Sequence, residues 1–349
     1  MDKEIKDIFM KNSNCNNLSI EEPLVTIQCL VYNQKYFLRD CLDGFVMQKT
    51  NFPFEAIIHD DASTDGSADI IREYAEKYPN IIKPIYEKEN QYSKKNGSLT
   101  KIMNATCNGK YIAFCEGDDY WIDPYKLQKQ VDYMESHLDI GLCYTNFNIL
   151  NYNTKDIRHD VFTSFPREFH YDHTLGDWIR EAPYIGPMTW LARSGLWKSV
   201  IRVSGSVDGS FCIIAYFKKY SKTVCLLNET TAVYRIHDGS ATQTYEIRKS
   251  YDYKSGLHNL QLMLADMYLE NESFFSKDII DRNYYCGYLK MILLLGEKKE
   301  IAKIEKYKNS LSGKRSLIYK FCESKFGLYF FQKYYSIHLK RKYGFKIDI

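Results

Sequence analysis

Residues Lys110–Val131, KYIAFCEGDDYWIDPYKLQKQV, decide how the chain is read. The apolar run YIAF leads into three carboxylates within four residues, Glu116, Asp118 and Asp119, and a stretch with helical spacing follows. Short apolar runs read as buried strands, and apolar positions at i, i+3 and i+4 read as helix. Asp123 followed by Pro124 supplies an N-cap and a first helical residue, so a helix is predicted immediately after the acidic residues. EGDD therefore sits on a strand-to-helix loop, with Asp119 expected to face solvent. Ionised carboxylates this close repel unless a cation or donors compensate them. Oxygen-only ligands suit Mn2+ or Mg2+, which bind through one or two carboxylates plus waters and substrate phosphates. The competing reading is an acidic loop that only caps the next helix, but Asp123 already fills that role.

Working toward the N-terminus, short apolar strands alternate with amphipathic helices. The strand PLVTIQCLVYN precedes a helix over Tyr36–Met47, and FEAIIHD reads as a second strand. Beyond the turn DASTDGS come a helix over Ala68–Tyr78, a strand near Ile81–Tyr86 and a helix around Leu99–Cys107. Such alternation predicts an α/β fold, a Rossmann-like and mostly parallel sheet flanked by helices. Ligands of open α/β sheets bind outside the carboxyl ends of the strands. VYN, HDDAS and EGDDYW all fall on that edge. Asp60 and Asp61 emerge together there, where a carboxylate can accept from a nucleobase N–H or ribose hydroxyls. The same residues could equally be a well-formed turn.

Three units are expected: an N-terminal extension over residues 1–22, the α/β domain over 23–245 and a helical region over 246–349. Residues 150–174 read as a variable loop with one hairpin. Hydrophobic residues at 45% and charged residues at 26% are values of an ordinary globular chain, so folding is expected. A net charge of +3 is too small to imply nucleic-acid binding by the molecule as a whole, so no nucleic-acid partner is expected and any basic partner surface must be local. Ten scattered cysteines with no CxxC pair predict neither a disulfide framework nor a zinc site, which suits a reducing cytoplasm. The opening MDKEIKDIFMKNSNCNN lacks the apolar core of a signal peptide, and no apolar run is long enough to span a bilayer.

The series VTIQCLVYN, FEAIIHDDASTDGS and GKYIAFCEGDDYW, with DPYKLQKQV after it, resembles the inverting glycosyltransferases of family 2, whose GT-A fold carries a DXD-type motif. The resemblance covers residues 23–146. It implies a transferase that moves a sugar from a nucleotide-sugar donor, UDP-linked in most members, to a saccharide or lipid-linked acceptor in surface polysaccharide synthesis. By the same resemblance Asp61 contacts the base, Tyr32 lies where uridine is cradled, and Asp118 and Asp119 hold ribose, metal and diphosphate. Asp119 is the expected direct metal ligand. Glu116 stands where many members have Asp.

Later, SVDGSFCIIAYFKKYSKTVCLLNETTAVYRIHDGSAT resembles the closing segment of the family. It implies that Asp208 is the general base that takes the acceptor proton; by residue type alone Asp208 is equally a helix N-cap. His237 is a candidate for the metal or the diphosphate and also a plausible structural histidine. Arg235 could neutralise phosphate or pair with a surface acid. Trp121 offers a flat face to an acceptor sugar, or packs in the core. APYIGPMTWLARSGLW, residues 182–197, could shape an acceptor pocket but is the safer fit to a structural turn.

Residues 313–349 carry nine Lys or Arg against Glu323 and Asp348, with Phe326, Tyr329, Phe330 and Tyr334 interleaved. Peripheral contact with the inner face of a membrane is one expectation. Packing of the aromatic stripe on the catalytic domain is the other. Among other classes, a non-catalytic sugar-nucleotide-binding or scaffold protein would share the fold. A nucleotidyltransferase would need a basic Gly-rich triphosphate loop near its start, and a dehydrogenase would need GxGxxG where VYNQKYF stands.

Overall fold

The computed structural model describes residues 22–162, 174–181, 184–200, 209–221, 223–237, 239, 246–270 and 275–343. In chain order the elements begin β1 (Val25–Val31), α1 (Leu38–Val46), β2 (Phe54–Asp60), α2 (Ser67–Lys77), β3 (Ile82–Tyr86), α3 (Ser98–Ala105) and β4 (Tyr111–Phe114). They continue with β5 (Tyr120–Trp121), α4 (Lys126–Ser136), β6 (Ile140–Asn151), β7 (Ile157–Arg158), α5 (Leu175–Glu181), β8 (Leu191–Arg193), α6 (Ser194–Lys198), α7 (Gly209–Tyr220) and β9 (Thr223–Ile236). Among the described residues the helices α8 (Ile247–Leu269), α9 (Lys277–Gly287), α10 (Leu289–Leu295), α11 (Lys298–Tyr307), α12 (Gly313–Cys322) and α13 (Lys325–Tyr343) follow.

The strands form one sheet in the order β3-β2-β1-β4-β8-β6-β9-β5, with β7 paired to β6. β1 lies parallel to both β2 and β4, and β2 parallel to β3, so the first half is the expected parallel layer. Its central strand VTIQCLV is buried almost throughout, as a strand covered on both faces must be. The second half is mixed: β8 runs antiparallel to β4 and β6, β6 runs parallel to β9, and β5 pairs antiparallel with β9. The expected hairpin after residue 150 is the β6–β7 pair, Leu150 facing Ile157. Residues 163–173 lie outside the described ones.

α1 buries Leu38, Cys41, Leu42 and Phe45, a helical stripe, against the sheet. Gly44 lets it approach closely: a Cβ there would stand 2.9 Å from the Trp121 backbone nitrogen. One core fills this first unit, drawn from β1, β2, β4, α1 and α4. The chain divides into two compact units, residues 1–173, 183–202 and 210–236 in the first and residues 174–182, 203–209 and 237–349 in the second. The second has its own core of Tyr284, Leu289, Ile292, Leu293, Ile304 and their neighbours. No described helix is long and apolar enough to cross a membrane.

The Asp123-Pro124 signal did not start a helix. Tyr125 is the residue before α4, and Asp123 Oδ1 accepts its backbone N–H at 2.9 Å. Ile122 N–H donates to Thr231 O, Pro124 O accepts from Lys49, and Lys126 N–H closes a turn onto Asp123 O, so Asp123–Tyr125 form a turn ahead of the helix. The helix begins three residues later than Asp123.

Candidate active site

Parallel pairing carries the ends of β1, β2 and β4 to one edge. Val31 stands opposite Asp60 in the β1–β2 register. Just beyond, Asp61 N–H donates to Val31 O at 2.9 Å and Gly117 N–H to Leu30 O at 3.1 Å. Tyr32, Asp61 and the EGDD loop are thereby held as neighbours, with Tyr32 51% exposed.

Side chains knit the first two loops together. Asn33 N–H donates to Ser63 Oγ at 2.9 Å, and Thr64 N–H returns a bond to Asn33 Oδ1 at 2.8 Å. Gln34 N–H reaches Ser67 Oγ and Lys35 N–H reaches Asp65 Oδ2. Asn33 and Ala62 both take left-handed backbone, φ 52° and 63°. Asn tolerates that region; for Ala it costs about 1–2 kcal/mol, strain of the kind that surrounding structure enforces at functional turns.

Asp61 does not present a free carboxylate. It is buried, with Oδ1 accepting Gln91 N–H at 2.6 Å and Oδ2 accepting Tyr92 N–H at 3.0 Å. Its charge thus folds the turn after β3 over the strand ends. Its neighbour Asp60 is also buried, and Oδ1 of Asp60 has no hydrogen-bond partner. A buried carboxylate oxygen left so is costly and calls for a donor.

In the acidic loop, Asp119 N–H donates to Glu116 O at 3.0 Å, closing a turn that leaves Glu116 exposed and Asp118 half-buried. Asp119 is 3% exposed, which corrects the expectation that it faces solvent. Oδ1 of Asp119 accepts the backbone N–H of Arg235 at 2.8 Å. Burial first, then the negative charge of Asp118, pushes its carboxyl well above the ordinary range; the Arg235 N–H opposes the shift and Glu116 adds to it.

Residues 27–200 match the family model described as glycosyl transferase family 2. The chain belongs to glycosyl transferase family 2. It is 45% identical over 120 residues to the uncharacterized Mycobacterium tuberculosis protein Rv1520, a match spanning 34% of each chain, so this chain covers about a third of that relative's length. It is 29% identical over 160 residues to Bacillus subtilis TuaG, whose name provisionally assigns it to teichuronic acid biosynthesis as a glycosyltransferase; 45% of this chain and 59% of TuaG are covered. The crystal structure of S. aureus TarS 1-349 in complex with UDP-GlcNAc superposes with a TM-score of 0.54 at 14% identity, covering 90% of this chain and 92% of that one. The fold is GT-A, followed by a helical C-terminal region.

In this family 2 chain two residues that the sequence left open between a ligand-facing and a structural place, Arg235 and Trp121, are both buried. Arg235 is buried, with Nη1 donating to Asp118 O at 2.8 Å and Nη2 to Asp40 Oδ2 at 2.6 Å. Its guanidinium lies 4.9 Å from the Phe37 ring and 4.7 Å from the Tyr120 ring. Arg235 is a clamp that fastens the acidic loop to α1, and its charge is met by Asp40 rather than held open for phosphate. Trp121 is 2% exposed, with Nε1 donating to Met188 O at 2.8 Å and its ring edge-on to Phe45 at 4.9 Å. It has no face to offer an acceptor sugar; its indole is core. Trp190 and Trp197 are likewise buried, and the described part of that segment, residues 184–197, contains a turn at Pro187–Thr189, the short strand β8 and most of α6.

His237 falls in the second unit, where Nδ1 accepts the Gly239 N–H at 3.1 Å. Asp208 lies outside the described residues. Among the described residues no three His, Cys, Asp or Glu side chains form a ready-made metal cage. The sequence reading missed Asp40, Phe37 and Tyr120 as the partners of Arg235, and the Gln91–Tyr92 turn as the partner of Asp61. An acid in the first turn of the helix after β1 was the one available hint.

Proposed function

We propose that this chain is a metal-dependent, inverting glycosyltransferase that moves a sugar from a UDP-linked donor to a hydroxyl of a saccharide or lipid-linked acceptor in surface polysaccharide synthesis. The observation that carries this reading is the meeting of two acidic loops, Asp60–Asp61 and Glu116–Asp119, at the carboxyl edge of three adjacent parallel strands. Membership of family 2 supports the reaction class.

The residues present fit a hard divalent cation. Glu116 is exposed and Asp118 half-buried beside a buried Asp119 whose raised proton affinity reports excess negative charge in an apolar setting. Mn2+ or Mg2+ bound there would neutralise the diphosphate as it leaves. Such ions take only one or two carboxylates, the phosphates and waters completing the shell, so no closed protein cage is required. Asp118 and Asp119 would hold the ion, Asp119 also holding the loop in place through the Oδ1 that accepts the Arg235 N–H, with Glu116 at the exposed side. Asp60, through its unpartnered Oδ1, would meet the nucleoside, and Asp61, assigned to the base by the resemblance, would do so only through the lone pairs left beside the Gln91 and Tyr92 N–H bonds, with Tyr32 at the open side.

The resemblance assigns His237 to the metal or diphosphate and Asp208 to the base. Asp208 would take the proton of the acceptor hydroxyl as that oxygen bonds to the anomeric carbon and the bond to the diphosphate breaks, inverting the centre in one displacement. Thermal unfolding with nucleoside diphosphates, with and without Mn2+, tests the donor site. A ligand at a hundred times its Kd stabilises by about 2.7 kcal/mol. UDP with Mn2+ should raise the melting temperature most, and Asp208→Asn should bind UDP yet transfer no sugar. Failure of every nucleoside diphosphate to stabilise the chain would sink the proposal, and binding without turnover of any nucleotide sugar would favour a non-catalytic binding protein.

A further inference from the structure

The last described helix of the second unit is apolar on two opposite sides. Along α13, Leu328, Phe331, Tyr335 and Leu339 recur at helical spacing and pack into the second core. On the other side stand Phe326, Phe330 and Ile337, which at 3.6 residues per turn fall within about 40° of one another. Phe326 is 71% exposed and Ile337 52%. The Phe326 and Phe330 rings lie 4.4 Å apart, and Tyr329 packs edge-on to Phe330 at 5.8 Å, so the aromatics form a surface cluster. One turn apart on α12, Leu317 and Phe321 are exposed as well.

A helix apolar all round is normally covered, and an exposed apolar cluster marks an interaction surface. Charge says what covers this one. Residues 313–341 hold seven Lys or Arg against a single acid, Glu323. Lys333 and Lys340 fall on the exposed side of α13, and Lys333 Nζ lies 5.6 Å over the Tyr329 ring. A second copy meeting this face about a two-fold axis would bring like charges together, which disfavours self-association. An anionic lipid surface offers both an apolar layer for the rings and phosphates for the ammonium groups.

We propose that the exposed face of α12 and α13 docks on an anionic bilayer. Phe326, Phe330 and Ile337 enter the boundary between headgroups and acyl chains, and Lys333 and Lys340 extend back to lipid phosphates, as interfacial helices do. The proposal stands on this unit alone and is independent of which sugar, if any, the chain transfers.

Flotation of the full chain with vesicles of phosphatidylcholine, and of phosphatidylcholine mixed with phosphatidylglycerol, tests it. Binding to the mixed vesicles should exceed binding to the neutral ones and fall with added salt. The variant Phe326→Ser with Phe330→Ser and Ile337→Ser should lose at least about ten-fold in partitioning, from the apolar area withdrawn. Because that variant could perturb folding, Lys333→Gln with Lys340→Gln provides a second test at exposed positions, with about a five-fold loss expected per cation. No binding to either vesicle would overturn the proposal, as would equal binding to both with no response to the lysine changes. A concentration-dependent dimer of the free chain that the apolar variant dissociates would assign the face to a second copy instead.

Discussion

Oδ1 of Asp119 accepts the backbone N–H of Arg235 at 2.8 Å, a bond that ties the acidic loop to β9 across 116 residues of sequence. The same arginine's side chain holds the Asp118 carbonyl and the Asp40 carboxylate. The loop that would face the metal is thus fixed from beneath by one residue, through both its backbone and its side chain.

Asp119→Asn should keep the fold, since an amide oxygen can still accept from Arg235. In the native chain burial raises the Asp119 carboxyl, so the stability it contributes is complete below the ordinary carboxylate value of about 3.9 and is lost as pH rises through the raised one. Asn has no such loss. Without divalent metal, the variant should melt at the same temperature as the native chain or higher near about pH 8, with the difference shrinking toward about pH 4. Turnover with donor and Mn2+ should fall by about 10²-fold or more. A variant less stable at the higher pH would contradict the account of Asp119 as a strained buried acid.

Arg235→Lys retains the charge but not the fork. A single ammonium cannot serve both the Asp118 carbonyl and Asp40 while lying between the Phe37 and Tyr120 rings. Chemical denaturation should show a loss of about 1–3 kcal/mol. Asp40 is largely solvated, so Asp40→Asn should cost less than Arg235→Ala. A double-mutant cycle between these two positions reads their coupling; a coupling of zero would remove Asp40 from the clamp.

Trp121→Ala should destabilise by about 3–5 kcal/mol by opening a cavity. Trp121→Phe should cost about 1–3 kcal/mol by stranding the Met188 carbonyl. Gly44→Ala should destabilise too, because its Cβ would press on the Trp121 backbone. Had the indole faced an acceptor, these changes would raise KM and leave unfolding untouched, so denaturation curves beside acceptor KM values discriminate.

Lys126 is fully buried, with Nζ donating to Gln130 Oε1 at 2.6 Å and lying 4.4 Å from the Trp121 ring. Burial pulls its ammonium down to about 7. A lysine with a depressed value contributes most above its unfolded value, about 10.4, and that contribution is lost as pH falls toward 7. Relative to Lys126→Met, the native chain should therefore gain up to about 1.4 kcal/mol per pH unit between about pH 7 and 10. Urea denaturation of both proteins at the two ends of that range checks the slope; parallel stabilities would mean the ammonium is solvated.

The parallel half of the fold was legible because its strands are continuous apolar runs bounded by turn residues: FEAIIHD is β2, residue for residue. The helix after EGDD starts later than the dipeptide signalled because Asp123 closes a turn over Pro124 and Tyr125, and Lys49 holds the Pro124 carbonyl, before the helix begins at Lys126. Asp61 was legible as an acid at the sheet edge. That its two oxygens would be spent on Gln91 and Tyr92, leaving an oxygen of Asp60 bare, depends on a turn thirty residues on.

The amino-acid sequence by itself determined the βαβ succession, the acids at strand ends and the family, since each rests on local spacing and residue type. Tertiary structure alone decided that β8 enters antiparallel beside β4, that Trp121 and Arg235 are interior, and that Asp119 holds the loop from below. The physical reason is that a tryptophan, an arginine or a carboxylate suits either water or the interior, and which it occupies is set by partners distant in sequence.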